Sequence, residues 1–178
     1  ATHIPLMPTL PAAAPLIANL AALMMEIGAA VLLATLFAVV RRQVKPRAYF
    51  ELWERAWAVL ALSLVVLLAR HIPGVPPLLG LLGYQVGKFA FFGLLLLGAL
   101  AYQRPDRLLP VRPATALMAF LGVVTAGLSD NPNTAVAWQS PFALVLCGVS
   151  AWRLAALPGN RRTFGTHATS GAMLVYAR

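Results

Sequence analysis

Of the 178 residues, 60% are hydrophobic and only 11% are charged, and the formal net charge is +9. A soluble domain carries roughly 45–50% apolar and about 25% charged residues, so an ordinary water-facing surface is excluded, because the exposed faces would form large adhesive patches. The positive charge does not point to nucleic acid, since no basic face or reading motif accompanies it.

The chain opens Ala-Thr-His-Ile-Pro, without an initiator Met and without the basic region of a signal peptide. Residues 1–14 read as a short extracytoplasmic segment. Residues 15–178 read as a single transmembrane domain, and the whole as a processed or partial stretch of a longer chain. A hydrocarbon core of about 30 Å needs about 20 helical residues. Span one is expected over Pro15 to Val40, span two over Trp53 to Ala69, span three over Leu78 to Tyr102. Span four, Pro113 to Leu128, is short, and span five runs from Trp138 to Leu157. A sixth apolar run begins near Phe164 and reaches Arg178; it is too short to cross a full bilayer by itself. The separators are sharp: Pro73, Pro76 and Pro77, then Pro105, Pro110 and Pro113, then the Asp130-Asn131-Pro132-Asn133 turn, then Pro158-Gly159-Asn160. The expected fold class is therefore an all-α integral membrane bundle of about five to six transmembrane helices.

The basic residues fall in alternate connections. Arg41, Arg42, Lys45 and Arg47 follow span one, Arg104, Arg107 and Arg112 follow span three, and Arg161 and Arg162 follow span five. The other connections hold Arg70 and His71, or the acid Asp130. Cytoplasmic loops concentrate Lys and Arg, so the N-terminus is expected outside and the basic edge inside a bacterial inner membrane. Trp53, Trp57 and Trp152 suit an inner aromatic belt and Trp138 an outer one.

Two ionisable residues fall well inside the spans. Glu26 stands 15 positions before Arg41, and Lys88 stands 16 before Arg104. At about 1.5 Å per residue both lie roughly 22–24 Å from the basic edge, so they share one height and carry opposite charge. An isolated charge at that depth is costly. Two roles follow: a ligand, ion or proton site between spans one and three, or a pair that only fixes packing, with Lys88 reaching toward the interface. The packing role is the default. Gly83 and Gly87, spaced for close helix approach, lie beside Lys88.

No nucleophile–base set, phosphate loop or metal motif is present, so the chain is not read as an enzyme and no metal site is expected. Cys147 is the single cysteine and reads as a small buried apolar residue. Ser63, Thr125 and Ser150 are expected to bond to their own helix backbone. No cofactor is expected; His71 and His167 read as capping or interfacial, with haem or chlorophyll ligation the alternative.

The run Arg41-Arg42-Gln43-Val44-Lys45-Pro46-Arg47-Ala48-Tyr49-Phe50-Glu51-Leu52-Trp53-Glu54-Arg55-Ala56-Trp57 resembles the polytopic N-terminal input regions of bacterial sensor histidine kinases and diguanylate cyclases. There, basic residues after the first helix are followed by an aromatic–x–x–Trp–x–x–Ala–Trp lead-in to the second. The likeness is best over residues 30–70. It implies a membrane-embedded sensory or signal-input module without catalytic activity of its own, its output domain lying elsewhere in a longer chain. Gly83-Tyr84-Gln85-Val86-Gly87-Lys88-Phe89, followed by Gly98-Ala99-Leu100 and Arg104, is similar to one helix of bacterial copper-resistance membrane proteins. The paired His, Met or Cys ligands of such a transporter are missing, and the adjacent Met24 and Met25 cannot face one site together on a helix. A third reading is a non-catalytic structural subunit of a larger respiratory or photosynthetic complex. The expected partners are the lipid bilayer and other membrane subunits or a second copy of the chain.

Overall fold

The computed structural model describes residues 10–43, 47–70, 72–104, 110–129 and 132–156. These form five α-helices and no strand: α1 (Leu10–Gln43), α2 (Ala48–Ala69), α3 (Pro77–Gln103), α4 (Val111–Gly127) and α5 (Pro132–Ala155). Four of them, α1, α2, α3 and α5, are long and apolar enough to cross a membrane. The 17 residues of α4 rise about 25 Å at 1.5 Å per residue. The sixth apolar run, 164–178, lies outside the described residues.

Several boundaries differ from the sequence expectation, each for a physical reason. Helix α2 begins five residues before Trp53, because Tyr49, Leu52 and Trp53 are buried and form its first inward face. Helix α5 begins at Pro132, inside the expected Asp130–Asn133 turn. Proline suits the first helical turn, where its missing N–H would lack a partner anyway, so Pro132 starts a helix here rather than interrupting one. Pro141 stands inside α5.

Helix α3 is the hub. It packs against α2, α4 and α5, whereas α1 packs on α2. Four glycines of α3 decide how closely α2 can lie. A methyl group on Gly83 would meet Val66 Cγ1 at 2.6 Å, and one on Gly80 would meet Arg70 Cβ at 2.8 Å. On Gly87 it would overlap Ser63, and on Gly98 the Trp53 indole. The contact order, 70, 66, 63, 53 on α2 against 80, 83, 87, 98 on α3, shows an antiparallel pair. Small residues give close backbone approach where lipid-facing helices gain nothing from hydrophobic burial. Gly83 and Gly87 therefore open α3 to α2, not to α1.

Helix α4 approaches α3 from another side. A Cβ on Gly93 would meet Met118 at 2.7 Å, and one on Gly122 would meet the Val86 Cα at 2.6 Å. Helix α5 lies parallel to α3: Phe89 meets Phe142 edge-on with centroids 5.5 Å apart, and further along Gln103 donates to the Arg153 carbonyl. The end of the bundle carrying Gln103 and Arg153 also gathers Phe37, Tyr49, Phe50, Trp53 and Tyr102. There Tyr49 meets Tyr102 edge-on at 4.9 Å and Phe37 meets Trp53 at 5.6 Å. Trp53 is buried, so it belongs to this core and not to an aromatic belt; Gly98 makes the recess that draws it inward. Trp57 is half-buried on Phe91, with centroids 5.0 Å apart. Trp138 and Trp152 are exposed.

The Gly122 contact is against main chain, which cannot swing away as a side chain would. Gly122→Ala is expected to lower stability by about 1–3 kcal/mol, the usual range for overpacking. A methyl group on Gly28 of α1 would meet nothing within 4 Å, so Gly28→Ala should be neutral or gain up to about 1 kcal/mol from helix propensity. Thermal unfolding of both variants in detergent measures the contrast.

Candidate functional site

Helix α1 contributes the first half of the site. Only 6% of its apolar window is buried, against 67% for α3. Its buried face is a single stripe in which Leu23, Ile27, Ala30 and Phe37 meet the core. The i, i+4, i+7 spacing of Leu23, Ile27 and Ala30 keeps them on one side of the helix. Glu26 and Arg41 sit 4 residues from Ala30 and Phe37, so the two charged residues lie on this stripe, toward opposite ends.

Each is met by a charge of opposite sign. Lys88 Nζ lies 3.7 Å from Glu26 Oε1. Arg41 Nε lies 2.7 Å from Glu54 Oε2, and Arg41 Nη2 donates to Glu54 Oε1 at 3.3 Å. The Nε contact is short but poorly aligned for a hydrogen bond, so the Arg41–Glu54 attraction is chiefly ionic. Glu54 sits two turns into α2, with its carboxylate about a quarter exposed. A second pair nearby, Arg55 with Glu51, is an exposed i, i+4 contact within α2, worth a few tenths of a kcal/mol.

The Glu26–Lys88 contact has an uncommon construction. Among the described residues no Cα of α1 comes within 8 Å of α3, so the two long side chains span a gap that the backbones do not close. Lys88 follows Gly87, whose contact is with Ser63 of α2. The 100° step per residue turns Lys88 past the edge of α2 toward α1. Its ammonium also rests 5.1 Å from the centre of the Tyr84 ring, one turn away, where the π-face attracts a cation. The Lys88 side chain is 13% exposed and that of Glu26 36%. At 3.7 Å the pair is in ionic contact rather than at the 2.7–3.2 Å of a hydrogen bond. An unpaired charge on an apolar span costs on the order of 3 kcal/mol or more. The pair and the aromatic face together offset that cost and fix the rotation of α1 about its own axis.

The remaining candidates divide cleanly. Arg41, Arg42, Arg47, Arg104 and Arg112 gather at one end of the bundle with Arg153, as the alternating helix directions require. Lys45, Arg107, Arg161 and Arg162 lie outside the described residues, and so do His71 and His167. Among the described residues no group of three His, Cys, Asp or Glu could hold a metal ion. Cys147 is buried with a free thiol. Ser63 Oγ donates to the Leu60 carbonyl at 2.7 Å, Thr125 Oγ1 to Leu121 at 2.9 Å and Ser150 Oγ to Leu146 at 2.7 Å, so these hydroxyls serve their own helices.

Attention to ionisable residues alone misses two others. Gln85 is fully buried and Gln139 is 4% exposed. Neither end of the Gln85 carboxamide has a hydrogen-bond partner among the described residues, nor does Oε1 of Gln139. The sequence signal was available: each is a carboxamide well inside an apolar helix, and lipid offers it no partner.

No family model, no curated protein and no solved structure matches the chain.

Separating the pair tests its role in stability. Glu26→Gln and Lys88→Met are each expected to be destabilising, and the double variant less so than the sum of the two, because each single change leaves one charge without its partner. The expected coupling is about 0.5–3 kcal/mol, read from thermal unfolding in detergent; strictly additive losses would mean that the two charges do not interact.

Proposed function

We propose that the chain is a membrane-embedded sensory or signal-input module with no catalytic activity of its own. One observation carries the reading: the contrast between how α1 and α3 are held. Helices α2 and α3 are interlocked through four glycines. Helix α1 leans on α2 along one stripe and is secured by one ion pair near its middle and one near its C-terminal end. A helix secured by discrete ionic contacts against a rigid core has the construction of a two-position element. Sliding or turning it separates discrete ionic contacts instead of deforming the close-packed α2–α3 interior. The connection from α1 leads through the basic segment 41–47 into α2, the stretch that resembles sensor input regions.

In this reading the chain spans a bacterial inner membrane several times with its N-terminus outside. Helices α1, α3 and α5 run inward, and the short α4 completes a fifth crossing. The concentration of arginines at one end of the bundle supports that orientation. The second reading, a structural subunit of a larger complex, draws on the exposed apolar face of α1, including Ile17, Met25, Leu32 and Leu36, a surface suited to lipid or to a neighbouring subunit or second copy.

Topology is tested by single cysteines at positions 107 and 131 in a Cys147→Ala background, probed with an impermeant thiol reagent. Arg107→Cys is expected to react only from the cytoplasmic side and Asn131→Cys only from outside. The reverse pattern would overturn the orientation. The role is tested on the native protein isolated from its membrane. An input module travels as one polypeptide with a soluble signalling domain, and Lys88→Met changes the output of that domain. Purification in fixed stoichiometry with a larger complex, without such a domain, favours the structural subunit.

A further inference from the structure

Gln85 and Gln139 belong to facing surfaces of α3 and α5. The edge-on Phe89–Phe142 contact ties the two helices at one level, and the Gln103–Arg153 contact shows that they run parallel from there. Gln85 stands four residues before Phe89, and Gln139 three before Phe142. At 1.5 Å per residue the carboxamides start about 6 Å and about 4.5 Å from that contact on the same side of it, which is one level within the reach of a glutamine side chain. The spacing i, i+4 on α3 and i, i+3 on α5 places each glutamine on the same face as its phenylalanine. Gln85 and Phe89 are fully buried; on α5 Phe142 stands at the exposed edge of the contact, while Gln139 belongs to the buried row that continues through Ala143, Cys147 and Ser150.

The surroundings narrow the chemistry. On the side toward α4, Gly122 closes directly on the backbone of Gln85 and Val86, so no side chain from there can reach in at that level. The hydroxyls that α4 offers nearby are committed, Thr125 to the Leu121 carbonyl and Ser129 to the Thr125 carbonyl. Lys88 is three residues from Gln85 but is engaged with Glu26 and Tyr84. What remains is an uncharged group of buried hydrogen-bond donors and acceptors: a carboxamide NH2 and two carboxamide oxygens. Such a set has no charge with which to bind an ion and suits a neutral molecule that both donates and accepts.

We propose that Gln85 and Gln139 form a hydrated site between α3 and α5, in which ordered water bridges the two carboxamides. Buried water characteristically makes two to four hydrogen bonds to polar groups that would otherwise go without. The facing carboxamides and the backbone carbonyls beside them can supply that number. The inference is independent of the sensory reading, since it concerns how the bundle satisfies its own polar groups.

The chain contains four glutamines, Gln43, Gln85, Gln103 and Gln139, so side-chain 15N labelling gives a spectrum simple enough to assign by substitution. Water-edited solid-state NMR of the protein in phosphatidylcholine vesicles is expected to show transfer from water to the side-chain amides of both Gln85 and Gln139. In Gln85→Leu the transfer to Gln139 should disappear while that to Gln43, near the end of α1, persists. Absence of transfer at either residue in the unaltered protein overturns the proposal, whether the carboxamides prove to bond each other directly or to stay dry. Persistence of transfer to Gln139 in Gln85→Leu overturns the shared site. If Gln85→Leu does not fold, Gln139→Leu read at Gln85 gives the same decision. Thermal unfolding adds a second readout: a shared water predicts that either Leu variant melts lower by about 2–4 °C or more, whereas removal of an unhydrated, unbonded amide would raise the melting point.

Discussion

The close approach of α2 to α3 is the constraint on which the other contacts depend. Between helices surrounded by lipid, burial of apolar side chains gains little, because the acyl chains are as apolar as leucine; dispersion between well-fitted surfaces supplies the adhesion. Gly80, Gly83 and Gly87 remove the side chains that would hold the helices apart, and Val66 and Ser63 occupy the space. Gly98 then admits the Trp53 ring, around which Phe37, Tyr49 and Tyr102 assemble. With α2 seated so, its far side is offered to α1 at a fixed distance from α3. That distance is what two long side chains, Glu26 and Lys88, can just bridge.

The interior thus uses two kinds of adhesion. Main chain rests near main chain where glycine permits, as at Gly122 against Val86, and such contacts have one good geometry. The periphery uses charge. Ion pairs tolerate modest changes of distance better than interlocked surfaces do, since Coulomb attraction falls off gradually with separation. The pairs also specify which face of α1 turns inward, because rotating the helix by half a turn would separate Glu26 from Lys88 and Arg41 from Glu54. That is the use of intramembrane charge best suited to a helix whose apolar residues are otherwise spread around its whole circumference.

Much of this is legible in the chain alone. Runs of about 20 apolar residues between proline clusters mark the helices, since a bilayer imposes length and composition together. Residue counts to Arg41 and Arg104 place Glu26 and Lys88 at one height, because helical rise is constant. Rotation is less legible than height. The pattern puts Gly83 and Gly87 on an approach surface without saying which helix takes it, and α2 does. Trp53 reads as an interfacial tryptophan because tryptophans favour that level; only the facing Gly98, 45 positions on, turns it inward. The start of α5 is obscured by Asn-Pro, a common turn signal that is equally a helix opening. Gln85 and Gln139 escape notice because neutral carboxamides leave composition and charge patterns unchanged, although in hydrocarbon their unpartnered atoms cost several kcal/mol each.

The order of the helices along the chain has a consequence for how such a protein comes to be made. Mean hydropathy falls from α1 through α2 and α3 to α5, the order in which a ribosome releases them. Lys88 follows Glu26 by about 60 residues, so at about 5–20 residues per second the carboxylate precedes its cation by roughly 3–12 s. During that interval α1 has α2 but not α3 beside it, and its greater apolarity offsets the still unpaired Glu26 until α3 arrives. The later helices, richer in buried polar groups, enter beside neighbours already in place. A permuted chain that placed α5 first would ask its least apolar spanning helix to partition alone, and translocation efficiency, rather than the stability of the finished bundle, is where that rearrangement would fail.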